Sequence, residues 1–154
     1  MKKKIIYGLL ILLFVGILIY DTYYVHFKRK INNDQDININ IDNDGTINYT
    51  NISSFNSYSI NININNKSLK DEKFKIGLQD IDNNLNSVIY YELSKDNLYI
   101  IDSNVLPNKD SILLGDIIKG QSEEKYTFKI YTKDIMDVDI GKKINGKIKV
   151  IFYE

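Results

Sequence analysis

Beyond residue 36, polar and apolar residues alternate almost one by one along much of this chain. Asp36-Ile37-Asn38-Ile39-Asn40-Ile41-Asp42 has a strict two-residue period, which puts the isoleucines on one face of a strand and the polar groups on the other. Asn43-Asp44-Gly45 is a turn tripeptide with a glycine free to take positive φ, and Thr46-Ile47-Asn48-Tyr49-Thr50 resumes the alternation. Together these segments predict a β-hairpin. Ser57 to Asn65 repeats the pattern with Tyr58, Ile60, Ile62 and Ile64 on one face. Phe74, Ile76 and Leu78 mark a further strand, ended by the polar cluster Asp80 to Asn86. Ile89, Tyr91 and Leu93 oppose Val88 and Tyr90, a two-sided apolarity that suggests a central or doubly covered strand.

The run Leu98 to Ile101 has no assigned role, and Asp102 to Ser111, with Pro107, reads as a loop. Ile112 to Ile118 suits a short strand that Gly115 allows to bend. Lys125 to Thr132 alternates cleanly, with Tyr126, Phe128 and Ile130 inward, and Lys147 to Tyr153 closes the chain as a last strand. About seven to nine short strands at roughly ten-residue spacing predict an all-β fold, an antiparallel β-sandwich of immunoglobulin-like type.

The opening of the chain has a different pattern. Ile5 to Tyr20 is uncharged and apolar, and a helix carried on to Phe27 would be about 35 Å long at ~1.5 Å per residue, enough to cross a bilayer with some tilt. Ile5, Leu9, Leu12, Phe14 and Ile17 would meet lipid, while Tyr20, Tyr23 and Tyr24 suit the membrane–water boundary. A cleaved signal peptide is the competing reading, but bulky residues fill Leu18 to Tyr24, where signal peptidase needs small ones. The expected organisation is a basic cytoplasmic tail (1–4), a single transmembrane helix (5–27), a juxtamembrane linker (28–35) and an extracellular β-sandwich (36–154). Lys2, Lys3 and Lys4 nearly balance Lys28, Arg29 and Lys30, so orientation rests on the short tail staying inside.

Formal net charge is zero, so no strong field draws the chain to nucleic acid, and no nucleic-acid partner is expected. Lys125, Lys129, Lys142, Lys143, Lys147 and Lys149 form a mild basic stripe interrupted by Glu123, Glu124 and Asp139. There is no cysteine, tryptophan or alanine, and the single histidine is His26. A Ser-His-Asp triad, a thiol nucleophile and a zinc set are therefore not expected in the domain, nor is any cofactor or catalysis. Carboxylate pairs remain: Asp80 with Asp82, Glu123 with Glu124, and Asp137 with Asp139, each also explained as a solvated loop or face. Asn40, Asp42 and Asp44, followed by Gly45, echo the first half of a calcium loop, but a strand turn explains them without a metal. Ile37, Ile39 and Ile41 lie on the first strand, which could form an exposed edge or add to a neighbouring copy.

Ser57 to Asn66 (SYSINININN), Val88 to Leu93, Leu113 to Ile117, Lys125 to Tyr131 and Gly141 to Ile148 resemble strands of surface sandwiches in low-GC Gram-positive bacteria. The fibre proteins of the TasA and camelysin kind share a broadly similar sandwich. The resemblance covers roughly residues 55–154 and implies an exported structural or adhesive module. Those fibre proteins are released by a signal peptidase, and this chain has no obvious cut site. The partners expected are the membrane and either an unknown protein or further copies of the chain.

Overall fold

The computed structural model describes residues 37–50, 52–53, 56–136, 139 and 141–154. The expected anchor residues Ile5, Leu9, Leu12, Phe14, Ile17, Tyr20, Tyr23 and Tyr24 lie outside this range. Among the described residues no helix is long and apolar enough to cross a membrane.

Among the described residues, two-residue alternation becomes nine strands: β1 (Ile37–Ile41), β2 (Thr46–Tyr49), β3 (Ser57–Asn66), β4 (Glu72–Asn83), β5 (Ile89–Lys95), β6 (Leu98–Val105), β7 (Ser111–Ile118), β8 (Ser122–Thr132) and β9 (Ile144–Tyr153). They form two antiparallel sheets, ordered β1-β3-β8-β5-β6 and β2-β9-β4-β7. The result is an all-β sandwich, as the alternation predicts. The inward positions of both sheets supply one core. Ile60, Ile62, Ile64, Phe128, Ile130 and Leu93 come from the first sheet, and Phe74, Ile76, Ile118, Ile144 and Ile148 from the second, all fully buried. Phe74 meets Tyr126 edge-on across the layers, with ring centroids 5.8 Å apart. Each buried isoleucine or phenylalanine contributes about 1.5–3 kcal/mol, so β-branched and aromatic packing holds the domain without a disulfide.

The chain changes sheets at every strand connection except β5 to β6, including β3 to β4 and β8 to β9. Because β3 pairs with β8 while β4 pairs with β9, these four strands lock the layers together. β5 lies between β8 and β6, in the interior of its sheet, in keeping with its two-sided apolarity.

The structure corrects the sequence in several places. The expected hairpin of 36–42 with 46–50 does not form, because β1 pairs with β3 and β2 pairs with β9. The intervening turn carries three successive positive φ values, at Asn43 (52°), Asp44 (52°) and Gly45 (74°). It swings the chain out of one sheet and into the other. Gly45 sits hard against β9, where an added Cβ would collide with the Ile148 carbonyl oxygen. Alternation dictates which face of β2 is buried, but not which sheet receives it. The loop assigned to 102–111 is shorter, since β6 continues to Val105 through a break at Ser103 (φ 55°). β4 likewise runs on through the polar cluster to Asn83, with Asp80 (φ 53°) forming an irregularity and its N–H donating to Asp110 Oδ1 at 2.8 Å. The strand expected at 112–118 is β7, and the last strand starts three residues early, at Ile144.

Candidate functional site

The outward positions of the five-stranded sheet make a broad polar face. Antiparallel register aligns Ser59 with Lys129, Asn61 with Thr127, Asn63 with Lys125, and Asn65 with Glu123 across β3 and β8. On β5 and β6, Glu92, Ser94 and Tyr99 extend it. Period-two alternation leaves every second residue of these strands facing water, and here those residues are amides, hydroxyls, tyrosines and paired lysines and glutamates. Two adjoining grooves cross the face and share Asn97 and Thr127. One, of about 410 Å³, includes Asp42, Asn61 and Lys125 in its lining; the other, of about 280 Å³, includes Glu92, Tyr99 and Lys129.

Charges on this face are largely neutralised in place. Lys129 lies 3.3 Å from Glu92, and Lys125 lies 3.7 Å from Glu123. Thr127 donates to Asn61 Oδ1 at 3.0 Å, and the Tyr131 hydroxyl donates to Ser103 Oγ at 2.7 Å. Tyr90 and Tyr131 stack at 5.9 Å, roofed by Lys133 and Lys129. The face therefore offers hydrogen-bond donors and acceptors, ring edges and little net charge.

The candidates taken from the sequence are dispersed. Ile37, Ile39 and Ile41 lie on β1, which among the described residues is an edge strand paired with β3 alone, and Ile39 is 37% exposed. Asp42 is engaged within the protein: its carboxylate accepts from the Asn61 backbone N–H (3.1 Å) and side-chain amide (2.9 Å). Asn40 is exposed on β1, while Asp44 belongs to the left-handed turn. No group of three or more His, Cys, Asp or Glu residues arranged to hold a metal ion occurs among the described residues. The basic stripe is divided, with Lys125 and Lys129 on one sheet, Lys147 and Lys149 on the other, and Lys142 bound to Asp139.

Two of the carboxylate pairs separate too, and Asp137 of the third lies outside the described residues. A backbone irregularity parts Asp80 from Asp82. Glu123 and Glu124, adjacent in a strand, face opposite ways. Glu124 turns inward, where Lys95 Nζ contacts its Oε1 at 2.8 Å and Asp116 Oδ2 at 3.1 Å. Tyr126 directs its hydroxyl to Glu124 Oε2 (2.6 Å) and Asp116 Oδ2 (2.9 Å), completing a four-residue clamp between β5 and β8 of one sheet and β7 of the other. Burial, then the two carboxylates, push the Tyr126 phenol far above its usual range. Burial alone would lower Lys95, but its hydrogen bonds to Glu124 and Asp116 outweigh that and raise it. Burial alone would raise Asp116, but the Ile117 N–H, the Tyr126 hydroxyl and Lys95 hold it below the usual carboxylate range.

Asp139 is the residue whose role the sequence conceals. It is fully buried, and accepts from the backbone N–H groups of Asn86 and Ser87, from Ser87 Oγ at 2.6 Å and from Lys142 Nζ at 2.9 Å. Desolvation would raise its pKa, yet the Ser87 and Lys142 bonds and the two N–H groups hold it well below the ordinary value. It pins the loop before β5 to the segment before β9. A single acidic residue in a polar stretch carries no local signal of such a role.

The chain matches no protein-family model, no curated protein and no solved structure.

Proposed function

We propose that this chain is a membrane-anchored, surface-displayed β-sandwich with a structural or protein-binding role and no catalysis, held by residues 5–27 with its C-terminal domain outside the cell. The observation that carries this reading is the outer face of the five-stranded sheet: an extended, charge-balanced surface of amides, hydroxyls and tyrosines, crossed by two open grooves. By contrast, the ionisable groups held away from water, at Lys95, Glu124, Tyr126 and Asp139, are committed to bonds within the fold. The membrane and a protein contacting this face are the proposed partners.

The interlocked quartet β3-β8 and β4-β9 supports assignment to the immunoglobulin-like sandwiches, whose B–E and C–F pairs are arranged similarly. The antiparallel seat of β2 beside β9 is a departure from that scheme. The resemblance to TasA- and camelysin-like surface proteins rests on the sequence segments quoted above.

A second reading, a subunit of a surface fibre or pilus-like assembly formed by addition of the Asp36–Asp42 strand to a neighbouring copy, is favoured by the place of β1 at the end of its sheet among the described residues. Photo-crosslinkers placed at Asn61 and Thr127 of the full chain on intact cells test the main reading. They should yield a discrete crosslinked protein product, and their silence would refute it. Analytical ultracentrifugation in mild detergent tests the second. Under that reading the native chain forms concentration-dependent oligomers, and Ile39→Lys reduces them to monomers; a monomeric native chain refutes it.

A further inference from the structure

The four-stranded sheet turns a very different face outward. Register places Lys73 opposite Tyr153, Lys75 opposite Ile151, Gly77 opposite Lys149 and Gln79 opposite Lys147 on β4 and β9. All seven side chains, Gly77 having none, stand on the side away from the core, because Phe74, Ile76 and Leu78 occupy the alternate, inward positions. On β7, Gly115 and Ile117 align with Lys75 and Lys73, and Ile112 with Gly77. Ile112, Ile117, Ile151 and Tyr153 are each at least 40% exposed.

Among the described residues, no carboxylate forms an ion pair with Lys73, Lys75, Lys147 or Lys149. Acidic side chains among the described residues near this face are Asp110, Asp82 and Glu154. Asp110 lines a groove of about 330 Å³ with Ile112, Lys149 and Ile151, and its carboxylate accepts the Asp80 N–H. Asp82 pairs with Asn145 at the β2 end, and Glu154 follows the last strand. Lys75 Nζ lies 4.5 Å from the Tyr153 ring and Lys73 Nζ 6.0 Å, so the cations sit against an aromatic platform rather than against opposite charge. A chain of zero net charge thus carries one sheet face with four unneutralised lysines among exposed isoleucines.

We infer that this face docks on an anionic phospholipid surface, lysines on the headgroups and Ile117, Ile151 and Tyr153 at the interface. Charge complementarity and interleaved apolar side chains are what such a surface selects. The inference rests on the membrane-anchored reading for its choice of lipid: residues 28–36 reach at most about 30 Å fully extended, so an anchored domain meets a bilayer at high local concentration. Loss of one lysine should weaken docking about fivefold, and loss of all four by on the order of a hundredfold or more.

The chain has no cysteine, so Ile151→Cys in the full-length protein gives a unique site for a polarity-sensitive fluorophore, with Ser59→Cys on the opposite face as control. Each labelled chain is mixed with nanodiscs of zwitterionic lipid alone and with nanodiscs containing anionic lipid. The 151 label should shift to the blue only with anionic lipid and lose the shift at about 1 M salt. The control should not respond, and K73Q/K75Q/K147Q/K149Q, checked for an unchanged thermal midpoint, should abolish the shift. An unresponsive 151 label, or an equal response in the quadruple variant, overturns the inference. So does a shift with inorganic polyphosphate but not with anionic discs, which assigns the face to a soluble polyanion. Retention by zwitterionic discs reads the anchor separately. A chain they fail to retain contradicts the anchored reading, while the lysine-dependent response to anionic discs still decides the face.

Discussion

Tyr126→Phe removes one oxygen from the clamp between the sheets and leaves the ring in the core. The hydroxyl serves the carboxylates of Glu124 and Asp116, and a hydrogen bond to a charged group is worth about 1.5–3 kcal/mol. The side chains of Glu124 and Asp116 remain 12% and 34% exposed, so water and Lys95 recover part of the loss and screening trims the rest. The expected cost is therefore about 1.5–2 kcal/mol, at the lower end of that range. For a domain of this size it corresponds to a fall of about 6–8 °C in Tm.

Urea titration followed by tyrosine fluorescence, repeated from pH 7 to pH 3, measures it. Tyr131→Phe is the comparison, because its hydroxyl meets only neutral Ser103 and should cost about 0.5–1 kcal/mol. Asp116 is held below its unfolded value in the fold, so its contribution is present above about pH 4 and is lost as pH falls through the lower folded value. The deficit of Tyr126→Phe should thus be full at pH 7 and narrow below about pH 4. A deficit under about 0.5 kcal/mol, or one no larger than that of Tyr131→Phe, refutes the clamp.

Three further outcomes follow from the same geometry. Asp139→Asn keeps the shape but turns an acceptor into a donor facing N–H groups, so it should lower Tm more than Tyr126→Phe does; its contribution, from a depressed pKa, is present above about pH 4 and should vanish with further acidification, which differential scanning calorimetry across that range checks. Gly45→Ala adds a Cβ against the Ile148 carbonyl at positive φ and should cost about 2–3 kcal/mol by denaturant titration. Gly141→Ala, also at positive φ but with open space around it, should cost only about 1 kcal/mol in the same titration.

How much of this was legible in the sequence depends on the range of the force involved. Alternation at Ser57–Asn65, Phe74–Leu78 and Lys125–Thr132 marks the inward faces, because burial of one face is a local, periodic demand. Sheet membership is not local: nothing in Asn43-Asp44-Gly45 tells a hairpin from a crossing between sheets, and only the contact of Gly45 with Ile148 decides it. β6 was hidden because its residues are largely exposed and Ser103 breaks their rhythm. The same limit applies to the surfaces. Glu124 and Asp139 look like solvated charges until Lys95 and Ser87 arrive from distant segments to join their near neighbours Tyr126 and Lys142. The lysines on the second face read as part of one stripe with Lys125 and Lys129, because the sequence does not reveal that β8 and β9 lie in opposite layers. The expected anchor at residues 5–27 lies outside the described residues, so it stands on length and apolarity in the sequence alone.

Trypsin added to intact cells expressing the full chain tests the central claim most directly, since Lys28, Arg29 and Lys30 lie between the apolar run and β1. A retained anchor with an external domain predicts release of a soluble, β-rich fragment extending to Glu154 while a cytosolic marker stays intact. Full protection of the chain until the cells are lysed would contradict it.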